Sequence, residues 1–271
     1  MEAALLSCLA LAASYVGSLY MTTKSGLPRD HPSTIKQRMS SVLVVCFLGP
    51  LFVYYVVDYD TRKIFPIQLG IHFSNIGFAL CGPLLLTVIL FAGPITLYLI
   101  TEGLVGIQED LLTTEHFFDL KWYRTIVVAP ISEELIFRAC MMPLLVPVYG
   151  ISKSIFVAPL FFGLAHFHHI CEEIRKGNKW PPVLLGSCFQ FLYTTIFGVY
   201  SAFLFLRTGH LIGPIICHSF CNMIGFPDFG SIPDCKSPMF VSFMFFVGLL
   251  LFFLFLFPLT DPVIYESIYW V

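Results

Sequence analysis

Long apolar runs recur along the whole 271-residue chain, and they limit the folds that it can adopt. A helix needs about 20 mostly apolar residues to cross the hydrocarbon core of a bilayer. The runs are apolar on all sides and do not alternate in polarity, which favours helices over a β-barrel. We therefore predict an all-α, polytopic integral membrane protein with about eight transmembrane helices. The candidate spans are residues 3–21, 41–57, 74–100, 123–146, 152–170, 182–206, 210–226 and 238–258.

The composition supports this prediction and excludes other classes of protein. Hydrophobic residues make up 57% of the chain and charged residues 12%, too little polar surface for an ordinary soluble globule. The apolar runs leave no room for a separate soluble domain, so we predict one domain over residues 1–271, with the polar motifs described below concentrated in residues 120–230. The formal net charge of −2 argues against a nucleic-acid partner, which would require a basic patch.

Basic residues are unevenly distributed between alternate loops of the eight-helix arrangement, which predicts its orientation. The side with fewer basic residues carries Arg62, Lys63, Lys153 and Arg207. We therefore expect the richer side to be cytoplasmic and both termini to lie on the opposite side. The richer side carries Lys24, Arg29, Lys36, Arg38, Lys121, Arg124, Arg175, Lys176, Lys179 and Lys236.

Three ionisable residues interrupt the apolar run at residues 129–145, in the stretch "SEELIFR". A charge at the centre of a spanning helix costs about 2.5–3.5 kcal/mol on insertion scales, so its presence needs a reason. Glu134 and Arg138 are four residues apart, which predicts an ion pair on one helical face. Glu133 lacks that partner, and an unpaired carboxylate in an apolar pocket is suited to act as a general base. Alternatively, both acids serve only to join neighbouring helices.

Two further spans carry polar residues at a spacing of four. In "FFGLAHFHHI", residues 161–170, Phe162 and His166 share one helical face, and in "CHSFCNMIGFPDF", residues 217–229, His218 and Asn222 do the same. Each pair alone is compatible with packing or with interhelical hydrogen bonds. Together with Glu133, they supply a base, imidazoles and hydrogen-bond donors, which is the minimum set for attack of water on an amide. No GxSxG motif or reactive Cys–His arrangement supports a covalent mechanism.

These motifs carry a resemblance to a known family. "EELIFR" (EExxxR), "FGLAHFHH" and "HSFCN", in this order on three apolar spans, resemble the type II CAAX prenyl endopeptidases, the Ras-converting family of glutamate-dependent intramembrane proteases. The match is close over residues 120–230 and is nearer to the eukaryotic branch than to the bacterial one. The resemblance implies that an intramembrane catalytic cavity lies among the predicted helices.

The resemblance also implies a role for each motif residue. It assigns Glu133 and His166 to activating the attacking water, and His218 and Asn222 to holding the oxyanion. Glu134 and Arg138 become a supporting pair.

The family's substrates are proteins with a C-terminal CAAX motif whose cysteine bears a farnesyl or geranylgeranyl chain, small GTPases of the Ras type among them. The enzyme removes the last three residues, aaX. Since the prenyl chain confines the substrate to the bilayer, the cavity should open both to lipid and to the cytosol. The eukaryotic resemblance implies the endoplasmic reticulum membrane.

Two alternatives remain open on the sequence. Glu133, His166 and His218 could together bind zinc with an open fourth coordination position. However, no HExxH motif is present, and we therefore expect no cofactor. A non-catalytic membrane scaffold of the same fold would use the polar residues only for helix packing. Such a scaffold would gain nothing from the unpaired Glu133.

Two further segments each carry a structural prediction. Residues 101–122 are acidic with apolar residues at near-helical spacing, typical of an amphipathic helix at the membrane interface. Pro214 precedes His218 by four residues and is expected to kink the helix that carries this histidine.

Overall fold

The computed structural model describes residues 1–21, 27–103 and 119–270, and all regular structure in these ranges is helical. The all-α, polytopic prediction is confirmed. The predicted amphipathic helix over residues 101–122 lies mostly outside the described residues. In chain order the α-helices are α1 (Glu2–Met21), α2 (Pro32–Val56), α3 (Tyr59–Lys63), α4 (Phe65–Gln68), α5 (Ile76–Leu90), α6 (Ala92–Thr101), α7 (Leu120–Trp122), α8 (Ala129–Glu134), α9 (Met142–Ala165), α10 (His168–Arg175), α11 (Trp180–Thr208), α12 (Ile212–Ile224), α13 (Pro238–Leu256) and α14 (Pro262–Tyr265).

Five of these helices, α1, α2, α9, α11 and α13, are long and apolar enough to cross a membrane. Helices α5 and α6 together form a sixth candidate span that is bent by 63°. Proline explains the bend, because Pro94 has no N–H to donate to the carbonyl of Leu90 and its ring would clash with that group. Helix α12 has only 13 residues, about 20 Å of rise, and is too short to cross alone.

Residues 120–165 form two successive helical runs, in agreement with the two spans predicted there. The first run alternates α- and π-helical turns, with π-helix at Tyr123–Val128 and at Leu135–Cys140 on either side of α8. The break between the runs lies within α9 at Gly150, whose φ of 74° is readily adopted only by glycine. A π-helical turn shifts the direction of the side chains that follow it, and such turns are frequent at functional sites.

The main core lies where α1, α2, the second π-helical segment, α9 and α11 meet. It is built from buried aliphatic and aromatic side chains of all these helices, with Phe137 and Phe162 near its centre. Helices α9 and α11 approach closely at Gly198, where an added Cβ would lie 2.8 Å from Pro159 Cβ. Small residues at such crossings allow membrane helices to pack by van der Waals contact.

Two of the loop segments predicted to share the positive side are in contact. The guanidinium of Arg124 donates a 2.8 Å hydrogen bond to Asp30 Oδ1, and Lys121 Nζ lies 3.9 Å from Asp30 Oδ2. The segment before α2 and the segment before α8 therefore meet at one end of the molecule, as the distribution of basic residues predicts.

The predicted kink at Pro214 is wrong. Helix α12 begins at Ile212, so Pro214 lies in its first turn. The backbone N–H groups of the first turn have no partner within a helix, so a proline there removes no hydrogen bond and does not bend the axis.

Candidate active site

Glu133 and Glu134 end α8, immediately before the second π-helical segment. Successive residues of a helix point about 100° apart, so the two carboxylates have different surroundings. The Glu134 side chain is completely buried within the protein, whereas that of Glu133 is 18% exposed and lines a cavity. The two carboxylates are therefore available for different roles.

Glu134 is held by three polar side chains from three segments. Its Oε2 lies 3.2 Å from Arg138 Nε and accepts a 2.5 Å hydrogen bond from Ser201 Oγ on α11. Its Oε1 lies 2.7 Å from His218 Nδ1 on α12. The pairing with Arg138 follows the predicted spacing of four, while the contacts with Ser201 and His218 were not predicted. A buried carboxylate is tolerated when paired and hydrogen-bonded in this way.

Arg138 is as buried as its partner and is enclosed by aromatic rings. Its guanidinium carbon lies 4.4 Å from the centre of the Phe162 ring and 6.0 Å from that of Phe197. Its two terminal nitrogens make no hydrogen bond to any described residue. Stacking on Phe162 is thus the main interaction of this end of the side chain, a cation–π contact strengthened by the absence of water.

His218 lies between the two glutamates. Its Nδ1 contacts Glu134, and its Nε2 lies 3.8 Å from Glu133 Oε2, farther than a hydrogen bond. Since a carboxylate only accepts, the 2.7 Å contact places a proton on Nδ1. In the neutral ring Nε2 then carries the lone pair, and in the charged ring both nitrogens donate. Glu134 therefore fixes the orientation and the tautomer of His218, as a carboxylate does for the histidine of a catalytic triad.

Tyr15 of α1 also reaches Glu133. The phenolic oxygen lies 3.0 Å from Ser132 Oγ and donates to Glu133 Oε1 over 3.5 Å. Tyr15 belongs to none of the sequence motifs, although a tyrosine in the middle of an apolar span is a signal, because its hydroxyl needs a polar partner there. Ser201 carries no comparable signal, since a serine hydroxyl in a helix readily bonds to its own backbone.

His166 follows the last residue of α9, and its ring is fixed by Phe162. Its Nδ1 lies 2.8 Å from the carbonyl oxygen of Phe162, and the two rings meet edge to face at 4.8 Å. Because a carbonyl only accepts, Nδ1 carries the proton and the neutral ring keeps its lone pair on Nε2. His166 is thus oriented to act as a hydrogen-bond acceptor or base.

Asn222 lies one turn after His218 on α12. Its Nδ2 donates a 2.9 Å hydrogen bond to the carbonyl oxygen of Thr125, in the first π-helical segment. One amide proton is thereby engaged, and the second proton on Nδ2 remains as a donor of fixed direction. Both π-helical segments thus contact candidate site residues.

Glu133, His166, His218 and Asn222 all line one cavity of about 1250 Å³. Its walls are mostly apolar and aromatic and come from α1, α2, α5 and from each of α8 to α13. Glu134 and Arg138 lie behind this surface and hold His218. The arrangement offers a carboxylate, two imidazoles and an amide donor in an apolar cavity, which suits general-base hydrolysis.

The cavity residues do not converge as metal ligands. In residues 1–21, 27–103 and 119–270, no three His, Cys, Asp or Glu side chains form a group that could hold a metal ion. The zinc alternative with Glu133, His166 and His218 therefore gains no support here, and chelation tests it below.

Comparisons with known proteins agree with the motif pattern. The family described as type II CAAX prenyl endopeptidase Rce1-like matches residues 116–224. The chain is 46% identical to CAAX prenyl protease 2 of Homo sapiens over 97% of this chain and 82% of the human protein. It is 42% identical to the Rattus norvegicus protein of the same name over 97% of this chain and 81% of the rat protein. With that of Saccharomyces cerevisiae it shares 32% identity over 80% of this chain and 78% of the yeast protein. No solved structure gives a significant match.

Proposed function

The chain belongs to the CAAX prenyl protease 2 family, and we propose that Glu133 and His166 activate the water with which it removes the aaX tripeptide from prenylated CAAX proteins. The observation that supports this mechanism best is the separation of the two glutamates. Glu134 is fully engaged by Arg138, Ser201 and His218, whereas Glu133 opens into the cavity.

In the proposed reaction, Glu133 removes a proton from water as the water oxygen bonds to the carbonyl carbon of the prenylated cysteine. This carbon forms the peptide bond to the first residue of the aaX tripeptide. His166 accepts a hydrogen bond from the same water through Nε2. The carbonyl oxygen becomes an oxyanion, and the C–N bond then breaks as the proton passes to the leaving amine. The products are a prenylated cysteine with a free carboxylate and the tripeptide aaX. A general base of this kind contributes about 10²–10⁴-fold to the rate.

Asn222 and His218 would hold the oxyanion, the second amide proton of Asn222 being one donor. His218 can be the other only in its charged form, because its Nδ1 proton is directed to Glu134. An imidazolium here would face a carboxylate at each nitrogen, Glu134 and Glu133. One oxyanion donor is worth about 10²–10³-fold in kcat.

The membrane setting fits a lipid-anchored substrate. Each CH₂ group of a prenyl chain gains about 0.8 kcal/mol on burial in apolar surroundings, so a farnesylated or geranylgeranylated protein is already held in the bilayer. The aromatic walls of the cavity supply such surroundings beside Glu133. We propose prenylated small GTPases as substrates, access from the cytosolic side and residence in the endoplasmic reticulum membrane.

The proposed mechanism needs no cofactor, and the zinc and scaffold alternatives are tested with it. The assay is cleavage of a prenylated CAAX peptide by the purified, detergent-solubilised chain, with and without a strong zinc chelator. We expect the wild type to cleave the peptide in both conditions and the cleavage rate of Glu133→Gln to be at least about 100-fold lower. Glu102→Gln is a matched control, since Glu102 lies outside the cavity at the end of α6.

The remaining outcomes contradict the proposal. Loss of activity on chelation, reversed by added zinc, would favour metal catalysis. No cleavage by the wild type would favour the scaffold, and an active Glu133→Gln variant would assign the base to another residue.

A further inference from the structure

Three arginine side chains contribute to the lining of the cavity. Arg29, Arg38 and Arg124 all line it, and Glu133 is the only carboxylate among its described lining residues. The mostly apolar lining of the cavity thus carries more positive than negative charge. Catalysis by Glu133 as described above makes no use of this charge.

The substrate carries a matching negative charge at a fixed place. The bond to be cleaved lies three residues before the C-terminal carboxylate, and three extended residues span about 10–11 Å. An enzyme that removes three residues needs a means of measuring this distance. A cation that binds the terminal carboxylate would provide one, and the guanidinium group of arginine matches a carboxylate in geometry and charge.

Among the three arginines, Arg124 has the closest link to the reacting groups. It directly precedes Thr125, whose carbonyl oxygen accepts the 2.9 Å hydrogen bond from Asn222. Arg29 lies in the loop before α2, and the guanidinium of Arg38 lies over the ring of Tyr20 at 5.5 Å. Arg124 is therefore attached to the backbone that positions the proposed oxyanion donor.

The side chain of Arg124 is held in place and still has donors for a ligand. Its Nη1 donates to Asp30 Oδ1 at 2.8 Å, and the described residues make no hydrogen bond with its Nε or Nη2. That hydrogen bond holds the pKa of Asp30 below its usual range, and the nearby charges of Lys121 and Arg29 act in the same direction. Asp30 therefore stays ionised at neutral pH and orients Arg124.

We propose that Arg124 binds the C-terminal carboxylate of the prenylated CAAX substrate and so sets the distance from the chain end to the cleaved bond. This inference rests on the function proposed above. It makes Arg124 a substrate-binding residue and Asp30 a positioning residue.

The test compares two prenylated CAAX peptides of one sequence, one with a free C-terminal carboxylate and one with a C-terminal amide. We expect the wild-type chain in detergent to prefer the carboxylate peptide by about 10–100-fold in kcat/KM, because hydrogen bonds to a charged group usually contribute this much. In Arg124→Gln this preference should fall to near one, because cleavage of the carboxylate peptide is reduced more than cleavage of the amide. Lys121→Gln is the matched control, because it also removes a positive charge beside Asp30, but Lys121 does not line the cavity.

Each other result overturns the inference in a distinct way. Equal cleavage of both peptides by the wild type would refute carboxylate recognition while leaving the proposed function intact. An equal loss of activity toward both peptides in Arg124→Gln would indicate a general structural role for Arg124. An unchanged preference at full activity would show that another residue binds the carboxylate. An effect of Arg124→Gln seen only in micelles containing phosphatidylserine would identify a lipid headgroup as the ligand. Failure of the wild type on both peptides would count against the proposed function itself.

Discussion

Glu133 and Glu134 are neighbours in the chain, but their surroundings differ. Those of Glu134 suit a structural role, and those of Glu133 suit a catalytic role. Glu134 has a guanidinium, a hydroxyl and an imidazole as partners, whereas Glu133 meets only the long contacts from Tyr15 and His218 among the described residues. Removing one partner of a buried ion pair leaves an uncompensated charge, while removing a cavity-lining charge does not. The two residues should therefore respond differently to the same substitution.

We expect Glu134→Gln to destabilise the fold by about 3–5 kcal/mol, because it leaves the buried Arg138 cation without its carboxylate. Glu133→Gln should leave stability unchanged within about 0.5 kcal/mol while abolishing activity. Thermal unfolding of both purified variants in detergent measures this difference. Equal Tm values for the two variants would show that the Glu134–Arg138 pair does not support the fold.

At the level of single residues, spacing predicts partners within one helix but not partners across helices. The pairing of Glu134 with Arg138 follows from four-residue spacing. The contacts of Tyr15 with Glu133 and of Ser201 with Glu134 join positions more than 60 residues apart, so no local pattern reveals them. The catalytic roles given to Glu133, His166, His218 and Asn222 stay predictions until the variants are assayed.

At the level of elements, local backbone features direct the site residues. The two π-helical segments flank α8, and the carbonyl oxygen of Thr125 in the first segment holds Asn222. Helix α11 brings Ser201 to Glu134 and packs against α9 through Gly198. A small residue is required at this crossing, because an added Cβ would also lie 3.2 Å from Arg138 Nη2.

Gly198→Ala should therefore destabilise the protein by about 1–3 kcal/mol, the usual effect of overpacking a close contact. It should also reduce activity, because the added methyl group displaces Arg138 from Glu134. Gly186→Ala on the same helix is the matched control, since its Cβ would meet no atom within 4 Å. If unfolding temperatures show the two variants to be equally stable, the close approach of α9 and α11 is not required.

At the level of the whole molecule, nine α-helices contribute to one cavity, whose lining includes Arg29, Arg38 and Arg124. The contacts of Asp30 with Lys121 and Arg124 bring together two basic segments, the one before α2 and the one before α8. Positive segments of membrane proteins stay on the cytoplasmic side. The cavity should accordingly receive its substrate from the cytosol.

Labelling with a membrane-impermeant maleimide in sealed microsomes tests this orientation. We expect Lys176→Cys, in the segment between α10 and α11, to react without permeabilisation. Asp60→Cys in α3 should react only after detergent is added, because it lies on the side poorer in basic residues. The unmodified chain gives the background from native cysteines, and the reverse pattern would invert the proposed topology.

Local patterns in the sequence are enough to predict the all-helical membrane class, the approximate positions of the helices, the family and the set of candidate site residues. Apolar length and i, i+4 spacing are local properties, and a bilayer requires each segment to satisfy its own backbone. The folded chain adds that Glu134 contacts His218, that Tyr15 and Ser201 join the site, and that three arginines line the cavity. These contacts depend on how separate helices cross, and crossing is set by close packing at positions such as Gly198, which no local pattern records.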